Sequence, residues 1–120
     1  PGLVSAEDID ESTPSGTVTG GTVSATSLDI SQTGRSVILD IDFTISDTPS
    51  SHVVTFSGAI PTDLRPGTTK RIIGHMASTG LLEVRAQSDG DLLIVANDWS
   101  GSNLNVPNGT YGLSISYVLD

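Results

Sequence analysis

Leu81-Leu82-Glu83-Val84-Arg85-Ala86-Gln87, the Asp89-Gly90 dipeptide and Leu92-Leu93-Ile94-Val95-Ala96 decide the fold of this chain. Two short runs rich in β-formers on either side of an Asp-Gly turn read as a β-hairpin. The alternation Tyr111, Leu113, Ile115, Tyr117 and Leu119 adds a long strand towards the C-terminus. Both hairpin strands are apolar on two faces. Leu82, Val84 and Ala86 share one face with Leu81 on the other, and Leu92, Ile94 and Ala96 alternate with Leu93 and Val95. A single buried sheet face accounts for half of these side chains. The remainder, together with Ile73, predicts a second surface sealed by another copy of the chain, or by the chain's own loops and N-terminal segment.

Working back from the hairpin, Val37 to Ile45 is the most regular strand. Val37, Leu39, Ile41, Phe43 and Ile45 lie on one face, and Ser36, Asp40, Asp42 and Thr44 on the other, with Ile38 the one apolar residue among them. Val23 to Ile30, His52 to Phe56, Arg71 to Ala77 and Thr110 to Leu119 complete seven or eight strands, and no segment shows a capped helical period. The crossing Ile60-Pro61-Thr62-Asp63-Leu64-Arg65-Pro66-Gly67 cannot form a central strand, because its prolines lack N–H donors. The expected fold class is all-β, an antiparallel β-sandwich or jelly roll. Residues 1–22, rich in Ser, Thr, Gly, Pro and acid, read as a linker or stalk connector, and residues 23–120 as the sandwich domain.

At 120 residues the chain suffices for one core. Aromatic residues make up only 4%, so Val, Ile and Leu must fill that core. Five basic residues against 14 acidic ones leave a net charge of −9, which repels nucleic-acid phosphates and anionic membranes. No apolar run reaches the roughly 18 residues of a membrane span. The lack of cysteine favours a protein made in a reducing cytoplasm. Pro1 is not an initiating residue, so the chain is expected to be a piece of a longer one.

Four ordered features carry a resemblance: the Ile60–Pro66 crossing; Thr79-Gly80-Leu81-Leu82-Glu83-Val84 with Asp89-Gly90-Asp91-Leu92-Leu93-Ile94; the loop Val106-Pro107-Asn108-Gly109; and the terminal Tyr117-Val118-Leu119-Asp120. Over roughly residues 35 to 120 the chain resembles the C-terminal receptor-binding head domains of phage tail-fibre and baseplate proteins, especially of phages that infect Gram-positive bacteria. It departs from that pattern at Leu64, where an aromatic residue usually precedes Arg-Pro, and in its few aromatics. The resemblance implies a homotrimer of jelly-roll-like heads on the virion, made in the bacterial host cytoplasm. Its partners would be host cell-wall polysaccharide or teichoic acid and other phage tail or baseplate proteins, bound without catalysis or cofactor.

The candidate saccharide-binding residues are Trp99, Asp98, Asn97, His75 and Arg71. Trp99 stands in a polar loop, where an indole can stack on the apolar face of a pyranose while Asp98 and Asn97 bond its hydroxyls. The alternative is that Trp99 folds back to cap the core or fills a subunit contact. In a regular strand His75 shares a face with Arg71 and Ile73, so the pair could bind the phosphate of a teichoic acid, or simply form a half-exposed strand face. Arg65 and Lys70 would reinforce that anion attraction.

Asp40, Asp42 and Asp47 fit no recognised calcium loop and read as a solvated face. Asp89 and Asp91 read as turn chemistry, as does the glycosylation-like Asn108-Gly109-Thr110. Two histidines and no thiol make no zinc set, and neither a nucleophile elbow nor a convincing carboxylate pair points to an enzyme. Two other readings stand beside adhesion: a structural tail or baseplate domain that contacts proteins, and a monomeric immunoglobulin-like or carbohydrate-binding module of a bacterial surface protein.

Overall fold

The computed structural model describes residues 7–119. Their nine strands are β1 (Glu7–Ser12), β2 (Gly16–Thr17), β3 (Thr22–Thr33), β4 (Ser36–Ser46), β5 (Val53–Phe56), β6 (Lys70–Met76), β7 (Leu81–Ala86), β8 (Leu92–Asn97) and β9 (Gly109–Val118), with one 3-10 turn at Thr62–Leu64. They form two antiparallel sheets. Sheet A has the order β1-β3-β4-β9 and sheet B the order β2-β5-β8-β7-β6.

The period-two pattern read in β4 has a direct physical outcome. Val37, Leu39, Ile41, Phe43 and Ile45 are buried, as are Leu28 and Ile30 of β3 and Tyr111, Leu113, Ile115 and Tyr117 of β9. From sheet B, Val54, Phe56, Leu82, Val84, Ala86, Leu92, Ile94 and Ala96 meet them in one core. The inner faces therefore pack like the two layers of a sandwich. Few rings are needed, because branched aliphatic side chains fill most of the layer, and Phe43 contacts both Phe56 and Tyr111 at centroid distances of 5.5 Å.

Two expectations are corrected here. The linker assigned to residues 1–22 does not stop short of the fold: β1 pairs with β3, β2 pairs with β5, and Val18 is buried in the core. The polar composition of this stretch suits edge strands, which need backbone partners more than apolar side chains. Residues 1–6 of the expected linker lie outside the described residues. Second, Val95 is only 4% exposed within a single chain, although it sits on the outer face of sheet B. Its register partners Val53 and Glu83 flank it, and it needs no second copy for its burial. Leu81 and Leu93 are half-buried, and the exposed apolar side chains of sheet B's strands include Ile72, Ile73 and Met76 on the edge strand β6.

The sandwich has two unlike ends. At the first, the β3–β4 hairpin and the β7–β8 hairpin meet the Pro-rich crossing between β5 and β6. Ile60 donates its N–H to Gly90 O at 2.9 Å, and Arg65 Nε returns a bond to Ile60 O at 2.9 Å. Tyr117 donates its hydroxyl to Leu64 O in a buried bond. Gly90 has a left-handed φ of +94°, and a Cβ there would meet the Arg65 guanidinium. Glu7 of β1 is paired with Gln32 and Val118 of β9 with Ser36, so the first described strand enters and the last one leaves at this end. The β2–β3, β4–β5, β6–β7 and β8–β9 connections gather at the opposite end.

Candidate functional site

The loop end is organised by a kink in β6. Arg71 is paired with Arg85 and Ile73 with Glu83, but His75 is paired with Leu82, because a bulge lies between Ile73 and His75. One extra residue in a strand moves every later side chain to the other face. His75 therefore does not share a face with Arg71 and Ile73. It turns to the core side, where its ring stands edge-on to Tyr111 with a centroid distance of 5.3 Å and an interplanar angle of 78°. Gly74, at the bulge, makes this possible: a Cβ there would lie 2.9 Å from Val84 Cγ2 and 3.2 Å from Leu113 Cδ2.

His75 and Tyr111 form part of a cleft of about 100 Å³, closed by Ala77, Thr79, Gly80, Leu81, Leu82, Leu104 and Pro107. Tyr111 is anchored by its hydroxyl, which donates to Pro107 O at 2.8 Å, and burial pushes its phenol above the ordinary range. No carboxylate lines it, and among the described residues no group of three His, Asp or Glu side chains is placed to hold a metal ion.

Trp99 borders this cleft from outside. Its indole N–H donates to Ala77 O at 3.0 Å and to Ser78 O at 3.2 Å, clasping the β8–β9 loop to the β6–β7 turn. The N–H is thus used, while the ring remains 56% exposed. Gly80 allows the two segments to approach, since a Cβ there would meet the Asn97 carbonyl oxygen. Asp98 is turned inward to its own loop: Oδ1 accepts from Ser100 Oγ at 2.7 Å, Ser100 N at 2.9 Å and Ser102 N at 3.0 Å. The Ser100 hydroxyl, followed by the Ser102 N–H, holds this carboxyl below the usual carboxylate range. Asn97 is half-buried, with a bridge to Asn103 beside its pairing with Leu81.

Of the five candidates, the structure brings Trp99 and His75 to the same end, places Asp98 and Asn97 as the frame of the Trp99 loop, and leaves Arg71 on the outer face of sheet B, opposite Arg85. Arg65 is likewise directed away from any anion site, into the crossing at the other end. Sequence reading missed Tyr111, Leu104, Pro107 and Thr79. Tyr111 was read only as part of the alternation of the closing strand; it is buried in the core, and its ring also forms a cleft wall. The glycine between Ile73 and His75 was the available signal, because glycine inside a strand marks a bulge or a close approach.

A second tie holds the loop end together. Thr48 N donates to Asn108 Oδ1 at 2.9 Å and Asn108 Nδ2 to Thr48 Oγ1 at 3.3 Å, with Asp47 and Thr48 in left-handed conformations at φ 66° and 52°. Such backbone is costly for a β-branched residue and persists where its surroundings enforce it. Asp47 gains a bond from Thr22 Oγ1 at 2.5 Å.

The chain matches no protein-family model, and no curated protein is significantly similar to it.

Proposed function

We propose that this chain is a receptor-binding head of a phage tail fibre or baseplate protein: a jelly-roll-like homotrimeric domain that adheres to a host cell-wall polysaccharide or teichoic acid through its loop end. The observation that carries the reading is the exposed Trp99 ring beside the His75–Tyr111 cleft, at the end of the sandwich opposite to both outermost strand termini. A tether through either terminus leaves that ring and cleft outermost. The indole offers a flat apolar surface for a pyranose, and the cleft accepts one substituent of the ring. Asp98 Oδ1 is already engaged within its own loop, so the remaining polar contacts fall to Asn97, His75, Thr79 and backbone groups. Adhesion of this kind is weak per site and gains strength from many sites acting together.

Titration calorimetry with purified wall polysaccharide tests the proposal. Trp99→Ala should weaken binding by about tenfold, the worth of one stacked ring, and His75→Ala by a smaller factor. Failure of the native protein to bind any wall polysaccharide would sink the saccharide reading. It would favour the structural reading, in which the exposed apolar edge strand β6 contacts another tail protein.

A further inference from the structure

The strands at the edges of the two sheets are β1 and β9 in sheet A, β2 and β6 in sheet B, and they are not alike. β1 contains Glu7, Asp8, Asp10 and Glu11 and is bulged between Asp8 and Asp10. β2 has two residues. β6 carries Lys70 and Arg71 and the bulge before His75. Charge, brevity and bulges are the devices by which native sheets keep an edge from pairing with another chain. β9 has none of them. Its ten residues, Gly109–Val118, include no charged side chain and no proline, and they keep one register with β4 throughout.

The pairing with β4 shows which backbone groups of β9 are open. Leu119 N donates to Arg35 O at 2.7 Å, so these residues form a hydrogen-bonded pair, and such pairs alternate with non-bonded ones along an antiparallel ladder. Tyr117, Ile115 and Leu113 therefore bond β4, whereas Gly112, Ser114 and Ser116 turn their N–H and C=O groups to the edge. The 3.1 Å approach of Thr44 Oγ1 to Thr110 Oγ1 fits the closer spacing of this second set. Among the described residues nothing bonds these edge groups. Beside them β6 closes on β9 at Gly74, where a Cβ would lie 3.2 Å from Leu113 Cδ2. Further along, a groove of about 250 Å³ opens between Ile38, Ile72, Ser114, Ile115 and Ser116. On the outer face of sheet A the Asp42 carboxylate leans over Gly112, since a Cβ there would lie 2.7 Å from Asp42 Oδ1. Asp42 and Asp40, which is opposite Ser114, are exposed and make no ion pair among the described residues. On the inner side Ile72 lines the groove, and Lys70 lies on the same side of β6, in register with the buried Ala86.

We propose that the β9 edge binds an extended segment of a different polypeptide, in which lysine or arginine alternates with aliphatic residues, as a fifth strand of the four-stranded sheet A. The backbone of the segment bonds the open groups of Gly112, Ser114 and Ser116. Its outward cations lie across the small side chains of β9 towards Asp40 and Asp42. Its inward aliphatic side chains fill the groove against Ile72, and Lys70 disfavours the reverse arrangement with cations inward. Charge also selects against a second copy. Two β9 strands paired with each other would satisfy the same backbone groups, but they would set Asp40 and Asp42 of both copies on one continuous face, in a chain of net charge −9. The inference goes beyond saccharide adhesion and does not depend on it, because the edge and the Trp99 cleft share no residue.

Nuclear magnetic resonance titration of the whole chain with a synthetic peptide of about eight residues, lysine alternating with valine, tests this. The amides of Gly112, Ser114 and Ser116 should shift and become protected from hydrogen exchange. Glutamate in place of lysine in the peptide, or Asp40→Asn with Asp42→Asn in the protein, should weaken binding by about tenfold or more. Ser114→Pro removes an edge N–H and no ladder bond, so it should abolish binding while thermal melts show the fold retained. Backbone N-methylation of the peptide on its two alternate sets of residues tests the strand geometry on the native protein, whatever the stability of that variant: one set should abolish binding and the other preserve it. Absence of binding at millimolar peptide, protection on β6 in place of β9, equal affinity for the glutamate peptide, or the same response to both methylated sets would each overturn the proposal. So would protection of the same amides that rises with protein concentration in the absence of peptide, which would assign the edge to a second copy.

Discussion

The two ends of this sandwich use the same kinds of residue for opposite purposes. At the crossing end, Arg65, Tyr117 and Gly90 all serve internal closure: a guanidinium bonds a backbone carbonyl, a phenol bonds another, and a glycine makes room for the guanidinium. At the loop end, Trp99 is tied by its indole N–H and His75 by its ring contact with Tyr111, which is itself held by its hydroxyl and by Phe43, and Trp99 and His75 remain exposed. A ring whose polar atom is satisfied by backbone is rigid, and a rigid exposed ring loses little entropy when a ligand stacks on it. The contrast separates residues whose loss unfolds the domain from residues whose loss spares the fold and removes a contact.

The largest expected effect lies at the closed end. Gly90→Ala should destabilise the domain by about 2 kcal/mol, because alanine is strained at φ +94° and its methyl displaces Arg65 from its bond to Ile60. Chemical denaturation checks this, and an unchanged midpoint would remove the clamp from the account of this end. Tyr117→Phe comes next, at about 1 kcal/mol for one buried hydrogen bond. Burial pushes the Tyr117 phenol up from 10.0 to about 12. The folded state then holds a proton that the unfolded state releases, so the stabilisation is complete below pH 10 and decays as pH rises towards about 12. Denaturation midpoints of native and Tyr117→Phe protein should converge across that window.

The smallest effect belongs to the loop end and has the opposite sign. Asp98 is held below its ordinary value of 3.8, so the order it gives the Trp99 loop is complete above that pH and is lost as pH falls through the depressed value. Tryptophan fluorescence should report loosening of the loop at acid pH, before the core melts. Asp98→Asn should remove that early step. Coincident loss of loop and core would show that the two ends are less independent than the contrast requires.

Much of this fold was legible because strand periodicity is a local property. The alternation in β4 and β9 and the Asp-Gly turn each follow from neighbouring residues, and every strand expected from Val23 onward is present with boundaries shifted by a few positions. The site was less legible. His75 was assigned to Arg71's face on the assumption of regular alternation, and the bulge at Gly74 reversed it. Tyr111 could not be seen as both core and cleft wall, since that depends on which loops stand over its edge. Whether Val95 is sealed by a second copy or by its own chain was open in the sequence, because a one-dimensional pattern does not show that Val53 and Glu83 flank it.

By itself the amino-acid sequence determined the layer type, the inward faces of most strands and the acidic, cation-poor surface, because these depend on side-chain period and composition. Tertiary structure alone decided that the N-terminal stretch enters both sheets, that β6 changes face at Gly74, that Arg65 closes one end, and that Trp99 and His75 stand at the other. Those outcomes rest on contacts between residues far apart in the chain, where steric room for a single Cβ and the placement of one backbone carbonyl outweigh local preference.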